Sequence, residues 1–225
     1  MIVVAPDHEG RGIGSGLLEW AERRERELGR TCHRQWVAAG DQSAEALLRR
    51  AGYTRVRSYW RMVRELVDEP APAPLPGLTL RPPEVDRDAE ALHALDAASF
   101  AATADYRPES FEEFRAEHLL AHDLDPALSA VAEDGERIVG FLLARNRPDE
   151  GVGFIDLLAV AADRQRQGLG AMLLRTAFAA CAASGLREAQ LGVASDNPRA
   201  LSLYERVGMS PRFRSDIYER PVLRS

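Results

Sequence analysis

The sequence predicts a mixed α/β fold, and three observations carry that prediction. Short apolar strand patterns alternate with stretches of helical periodicity along most of the 225 residues. The run Phe154 to Val160 is nearly all apolar, as a strand buried on both faces of a sheet should be. It passes through a polar turn into Gly168-Leu169-Gly170, which opens a helix. The same unit occurs twice, because a displacement of 156 residues carries Val4-Ala5, Gly12, Gly14 and Leu17-Leu18 onto Val160-Ala161, Gly168, Gly170 and Leu173-Leu174. That displacement also takes Gly29 to Gly185, Ala44 to Ala200, Leu47 to Leu203 and Gly52 to Gly208. A repeat this long is two copies of one domain. Met1 falls where Leu157 stands, so the spacing predicts about eighty further residues for the first copy, lost through a late start assignment or a clipped gene.

Residues 1–66 are expected as strand, helix, strand, helix and strand, the C-terminal half of a degenerate domain. Residues 67–77 alternate proline with small residues and form a semi-rigid linker. A complete domain then fills 78–225, beginning with a strand at Leu78-Thr79-Leu80-Arg81 that Pro82-Pro83 ends. Val85, Ala89, Leu92, Leu95 and Ala98 share one face of a helix. Ser110 and Glu113 make a capping box for the next helix. Two strands, Leu128 to Glu133 and Arg137 to Ala144, meet at the hairpin signal Asp134-Gly135. After the central strand come a helix from Gly168 to Ser184, a strand from Glu188 to Val193, a helix opened by Asp196 or Asn197, and a strand from Phe213 to Leu223.

Composition narrows the function. All 29 basic residues are arginine, and the absence of lysine removes a P-loop, a kinase-type ATP site and a lysine Schiff base together. Residues 67–225 hold 17 arginines against 26 acids, a balance of −9, which disfavours nucleic acid and tolerates a cationic acceptor. No apolar run reaches membrane-spanning length, so the expected setting is cytoplasmic, with no membrane partner. Cys32 and Cys181 have no metal-ligand spacing and read as small buried hydrophobes.

The chemistry lies in Phe154 to Leu174. Helix N-termini leave amide N–H groups unpaired and carry partial positive charge, so they bind phosphate, and glycine at 168 and 170 lets a pyrophosphate approach the backbone. A dinucleotide fingerprint fits poorly, because Leu173 stands where its third glycine belongs. Gln165 completes Gln-x-x-Gly-x-Gly, and Asp196-Asn197-Pro198-Arg199-Ala200 followed by Leu203-Tyr204 comes next in order. On these motifs the chain resembles the GNAT superfamily of acetyl-CoA-dependent N-acetyltransferases, in the tandem, mycothiol-synthase-like arrangement. The resemblance covers 78–225 in full and 1–66 as a half-domain.

That resemblance implies an α/β GNAT fold and acetyl transfer to a primary amine by direct attack on the thioester, with acetyl-CoA as acyl donor and no metal. It implies that the strand edge Leu157, Leu158, Ala159 and Val160 holds the pantetheine arm, with the Leu157 or Leu158 amide polarising the thioester carbonyl. The amides of Arg166, Gln167, Gly168, Leu169, Gly170 and Ala171 would cradle the pyrophosphate, with Gln165 ordering the turn. Asn197 would contact the cofactor arm, and Tyr204, seven residues on and so on the same helix face, would protonate the leaving thiolate. Asp156 is the candidate general base, since an acid in so apolar a strand needs a reason to be there; a hydrogen-bonded or solvent-facing acid is the competing reading. His118 and His122, one helical turn apart, read as a solvated helix face; with Tyr106 they fall in the stretch that would line the acceptor pocket, which leaves a proton-relay role open. In the first copy Glu9 replaces Gln165, Asp41 replaces Asn197 and Leu48 replaces Tyr204, so catalysis is expected only in the second. A non-catalytic acyl-CoA-binding module is the competing reading, and an open sheet edge in the half-domain makes a homodimer an expectation.

Overall fold

The computed structural model of the chain describes residues 4–68, 70–101 and 107–222. In chain order the main elements are α1 (Ile13–Glu27), β1 (Cys32–Ala38), α2 (Gln42–Arg50), β2 (Thr54–Glu65), β3 (Thr79–Arg81), α3 (Val85–Phe100), α4 (Phe111–Phe114), β4 (Ala130–Asp134), β5 (Arg137–Arg147), β6 (Val152–Val160), α5 (Leu169–Ala183), β7 (Glu188–Ala194), α6 (Pro198–Arg206) and β8 (Ser210–Pro221). They group into two compact units that cut across the repeat: one joins residues up to 61 with 193–198 and the chain from 211, the other takes 62–192 and 199–210.

In the first unit β8, the last strand of the second copy, pairs antiparallel with β1, placing Trp36 opposite Ile217 and Cys32 opposite Pro221. Buried Asp216 fixes β8 by accepting hydrogen bonds from Ser58 Oγ at 2.7 Å and Arg55 Nη1 at 3.3 Å. The core here gathers Leu18, Val37, Leu48, Tyr53 and Tyr218.

The second unit carries the strand order β7-β6-β5-β4-β3, antiparallel except for the parallel pair β6 and β7. Ala89 and Leu92 of α3 and Phe114 of α4 pack on Val131, Phe141, Leu143 and Ala159. Gly140 precedes Phe141 in β5 and so faces the other way, and there Leu169 and Leu173 of α5 come within 3.2 Å of where its Cβ would be. Helices therefore cover both faces of this sheet. The Ser110 capping box forms as the sequence predicts, with Ser110 accepting from the Glu113 amide at 3.3 Å and Glu113 from the Ser110 amide at 2.8 Å. Beyond Phe114 the helix widens into a π-turn over Arg115–Leu119, closed by the Leu120 amide donating to Arg115 O at 2.9 Å. This wider turn brings Phe114 and Leu119, five residues apart, into the same core.

Candidate active site

Strand β6 organises the site. Its pairing with β7 runs only from Val152 opposite Glu188 to Phe154 opposite Gln190, although β6 continues to Val160. From Ile155 on, the β6 edge facing β7 therefore has no strand partner among the described residues, and Leu157 to Val160 lie on that stretch. An extended arm carrying amides fits such an edge as an added strand.

At its end the chain turns sharply. Gln165 Nε2 donates to Val160 O at 3.2 Å and Gln167 Nε2 to Asp163 O at 2.9 Å, so both glutamines brace the turn. Arg166 is left-handed at φ 62°, the one non-glycine with positive φ among the described residues. Its counterpart in the first copy is Gly10, also left-handed at φ 73°. The second copy thus holds an arginine where the first holds the residue that suits the conformation, at a cost of about 1–2 kcal/mol. Such strain gathers at functional sites. Gly168 follows as the N-cap of α5 at φ 89°, with open space where a Cβ would stand. Within α5 the first amide to find a helical partner is that of Met172, which donates to Gly168 O at 3.0 Å. The amides of Leu169, Gly170 and Ala171 thus carry the unpaired positive end of the helix. Gly170 has a second duty: a Cβ there would lie 3.2 Å from Leu203 Cδ2, so its bareness lets α5 and α6 approach closely. Gly14 does the same in the first copy, with Leu47 at 2.8 Å.

Tyr204 lies on α6, half-buried as a residue, but its phenol end is sunk deeply enough that burial pushes it up to about 12. It stays protonated at neutral pH and so remains a donor. Asn197 stands just before α6, its amide donating to Ala194 O at 3.1 Å.

Asp156 owes its position to an irregularity in the sheet. Leu143 of β5 lies opposite Leu157 but Ala144 opposite Ile155, so Asp156 is the extra residue of a bulge, free of the ladder and re-aimed. Its Oδ2 accepts from Arg145 Nη2 at 2.9 Å and lies 2.7 Å from His118 Nδ1. Burial pushes this carboxyl up, yet the His118 and Arg145 hydrogen bonds and charges outweigh that and hold it below the usual carboxylate range. Arg145 also donates to Asp123 at 3.0 Å and to Glu117 O at 2.8 Å.

Here the structure corrects the sequence reading of the histidines. His118 is not on a solvated face: its side chain is 14% exposed, its ring tilted against Phe114 at 5.2 Å and bound to Asp156. The π-turn ends the helix before exposed His122, so the two share no face. The partners Asp96, Glu109 and Arg145 escaped sequence reasoning altogether. One signal for Arg145 was legible, since the β5–β6 hairpin sets this charge in a buried strand close to the equally out-of-place Asp156. Tyr106 lies outside the described residues.

In the first copy the positions equivalent to Asn197 and Tyr204 hold residues with structural duties. Asp41 caps α2, accepting from the Ala44 amide at 2.9 Å, and Leu48 fills the core of its unit.

An interrupted strand pair, an anion-ready helix start and a sunken phenol define an acyl-transferase of the acyl-CoA type. The comparisons agree. Residues 90–209 match the acetyltransferase (GNAT) family, and residues 1–55 match a GNAT acetyltransferase domain. Among curated proteins, the mycothiol acetyltransferase of Actinosynnema mirum is 33% identical over 96% of this chain and 72% of its own. That of Geodermatophilus obscurus is 35% identical over 93% and 69%. The crystal structure of a GCN5-related N-acetyltransferase from Sphaerobacter thermophilus superposes with a TM-score of 0.79 at 26% identity, over 97% of this chain and 71% of that one. A tandem GNAT protein from the clavulanic acid biosynthesis pathway shares the fold at TM-score 0.76 and 16% identity, over 99% and 74% of the two chains. The chain belongs to the GNAT family, and its activity is acetyl-CoA-dependent transfer of an acetyl group to an amine. No helix among the described residues is long and apolar enough to cross a membrane.

Proposed function

We propose that the chain acetylates the primary amine of an acceptor of the kind its mycothiol acetyltransferase relatives use, with the chemistry confined to the second copy. The unpartnered β6 edge beyond Phe154 carries this reading, since it provides an extended receptor that ends beside the open helix start at Gly168. In it, Leu157 to Val160 align the pantetheine arm, and the amides of Arg166 to Ala171 hold the pyrophosphate. Asn197 steadies the cofactor arm. The amine attacks the thioester directly, and Tyr204 protonates the departing thiolate. Asp156 belongs to the group that removes the amine's proton. Acetyl-CoA is made and used inside cells, which supports a cytoplasmic setting.

The test is amine-dependent release of free thiol from acetyl-CoA. Tyr204→Phe should lower kcat by about 10²-fold or more while acetyl-CoA affinity stays within a factor of about two. Unchanged kcat across pH would remove Tyr204 from the mechanism. Tight acetyl-CoA binding without thiol release for any amine would point to a binding module instead.

A further inference from the structure

In the second unit two buried carboxylate oxygens, on Asp96 and Glu109, have no hydrogen-bond donor among the described residues. His118 Nδ1 is committed to Asp156 Oδ2 at 2.7 Å, so in the neutral ring the proton sits on Nδ1 and Nε2 offers a lone pair. That Nε2 lies 3.3 Å from Glu109 Oε2, an oxygen shielded from solvent and without a hydrogen-bond partner among the described residues. On α3, Asp96 is 9% exposed, and its Oδ1 is likewise buried and unpartnered. Burial pushes the Asp96 carboxyl up to about 6, and the charges of His118, Glu109, His93 and Asp156 also bear on it. A buried acceptor without a donor is costly, and here there are two.

The missing partner must bring several N–H donors and a positive charge, which a primary ammonium does. We propose that Asp96, Glu109 and His118 Nε2 form the receptor for the acceptor's ammonium group, and that His118, oriented by Asp156 and Arg145, takes its proton. This rests on the amine acceptor of the proposed function and assigns the base to His118, with Asp156 as its positioning residue. Asp156 is poorly suited to act alone, because its Oδ2 already serves Arg145 and His118.

The proton count closes. The ammonium gives one proton to His118, which passes it to solvent, and the neutral amine forms the C–N bond as the C–S bond breaks. The thiolate takes the Tyr204 proton, and the second proton lost from nitrogen replaces it. One proton is released per turnover.

Every element packed about His118 contributes charge: Asp156 from β6, Arg145 from β5 with Asp123 behind it, Asp96 and His93 from α3, Glu109 ahead of α4, and Glu117 on the π-turn itself. Burial lowers the imidazole pKa, but the Asp156 hydrogen bond and the charges of Asp156, Glu109 and Asp96 reverse that and raise it above the usual histidine value. The acid limb of kcat/KM should therefore lie above pH about 6.5.

The experiment follows thiol release from acetyl-CoA across a panel of primary amines, from pH 5 to 9. His118→Ala should lower kcat by about 10²-fold, abolish the acid limb and recover activity with added imidazole. Asp156→Asn should move the limb to lower pH, and Asp96→Asn should raise the amine KM about tenfold with little change in kcat. His122→Gln should match wild type. Circular dichroism checks that each variant folds. Retention of the acid limb in His118→Ala, or activity that requires an added divalent cation, overturns the assignment. Failure of the wild type on every amine instead sinks the acceptor reading itself.

Discussion

Replacing Gly153 in β6 should destabilise the fold unless Cys181 is cut back with it. A Cβ at residue 153 would stand 2.3 Å from Cys181 Sγ, 3.3 Å from Cys181 Cβ and 3.5 Å from Leu186 Cδ1. Non-bonded heavy atoms settle at about 3.5–4.0 Å, so the sulfur alone is more than about 1 Å too close. Cys181 is completely buried on α5 and has little room to turn, so the helix must lift from the strand. Overpacking of this kind costs about 1–3 kcal/mol. Alanine returns about 0.5–1 kcal/mol through its better backbone entropy in a strand, leaving Gly153→Ala up to about 2.5 kcal/mol less stable. Cys181→Ala alone should cost about 1 kcal/mol for the lost buried group. Together the changes should sit near the Cys181→Ala level, because only the 3.3 Å and 3.5 Å neighbours remain. Urea denaturation followed by far-UV circular dichroism reads this out, since Trp20, Trp36 and Trp60 precede the linker and report on residues before Met62. Asp156 lies three residues further along β6, so turnover should fall and recover with stability. A coupling energy below about 0.5 kcal/mol between the two sites would refute the reasoning.

Arg166→Gly should relieve the left-handed arginine, leaving stability equal to wild type or higher by up to about 1 kcal/mol, while weakening acetyl-CoA binding in titration calorimetry. Gly168→Ala at φ 89° should cost about 1 kcal/mol by strain, although nothing crowds the new methyl, and should lower acetyl-CoA affinity. Asp88 is 1% exposed and bound twice by Arg81, at 2.6 and 2.7 Å, so Asp88→Asn should destabilise by about 3 kcal/mol in denaturant melts. Burial raises the Asp88 carboxyl, but Arg81 and the Glu84 amide outweigh it, and the folded pKa is depressed. Its contribution should thus be complete above pH about 4 and lost as pH falls through the lower folded value, a loss absent from the Asn variant.

What the sequence disclosed followed the period of its apolar residues. The central strand, the glycine turn and α5 lie where the pattern puts them because burial on both faces leaves few alternatives for Phe154 to Val160. The repeat foretold even side-chain contacts, since Gly14 and Gly170 meet the equivalent leucines Leu47 and Leu203. The surroundings of Asp156 were not legible. Its aim depends on a bulge, which no alternation pattern marks, and on a π-turn that brings His118 to it from 38 residues earlier. Such pairings are set by how α3 and α4 dock on the sheet, a tertiary fact that local periodicity cannot encode. The unit boundaries escaped for the same reason, because an antiparallel partner for β8 in β1 leaves no trace at either strand.

The unit boundaries also give the chain before residue 67 a share in the second unit. The end of β2 belongs to the second unit, where Met62 is fully buried and Val63 is 4% exposed. There Arg64 donates to Val207 O at 3.1 Å and lies over the Phe178 ring at 4.8 Å, while the Leu66 amide donates to Arg187 O at 2.9 Å. Burying a methionine or a valine contributes about 1.5–3 kcal/mol each, against a total stability of about 5–15 kcal/mol for a domain. A fragment that starts at residue 67 therefore gives up about a fifth or more of what holds the second unit together. Residues 67–225 alone should show a lowered or absent cooperative melt and little thiol release, and extending the fragment back to residue 61 should recover part of the melt. Undiminished stability and turnover in 67–225 would show that the first copy contributes nothing to the working site.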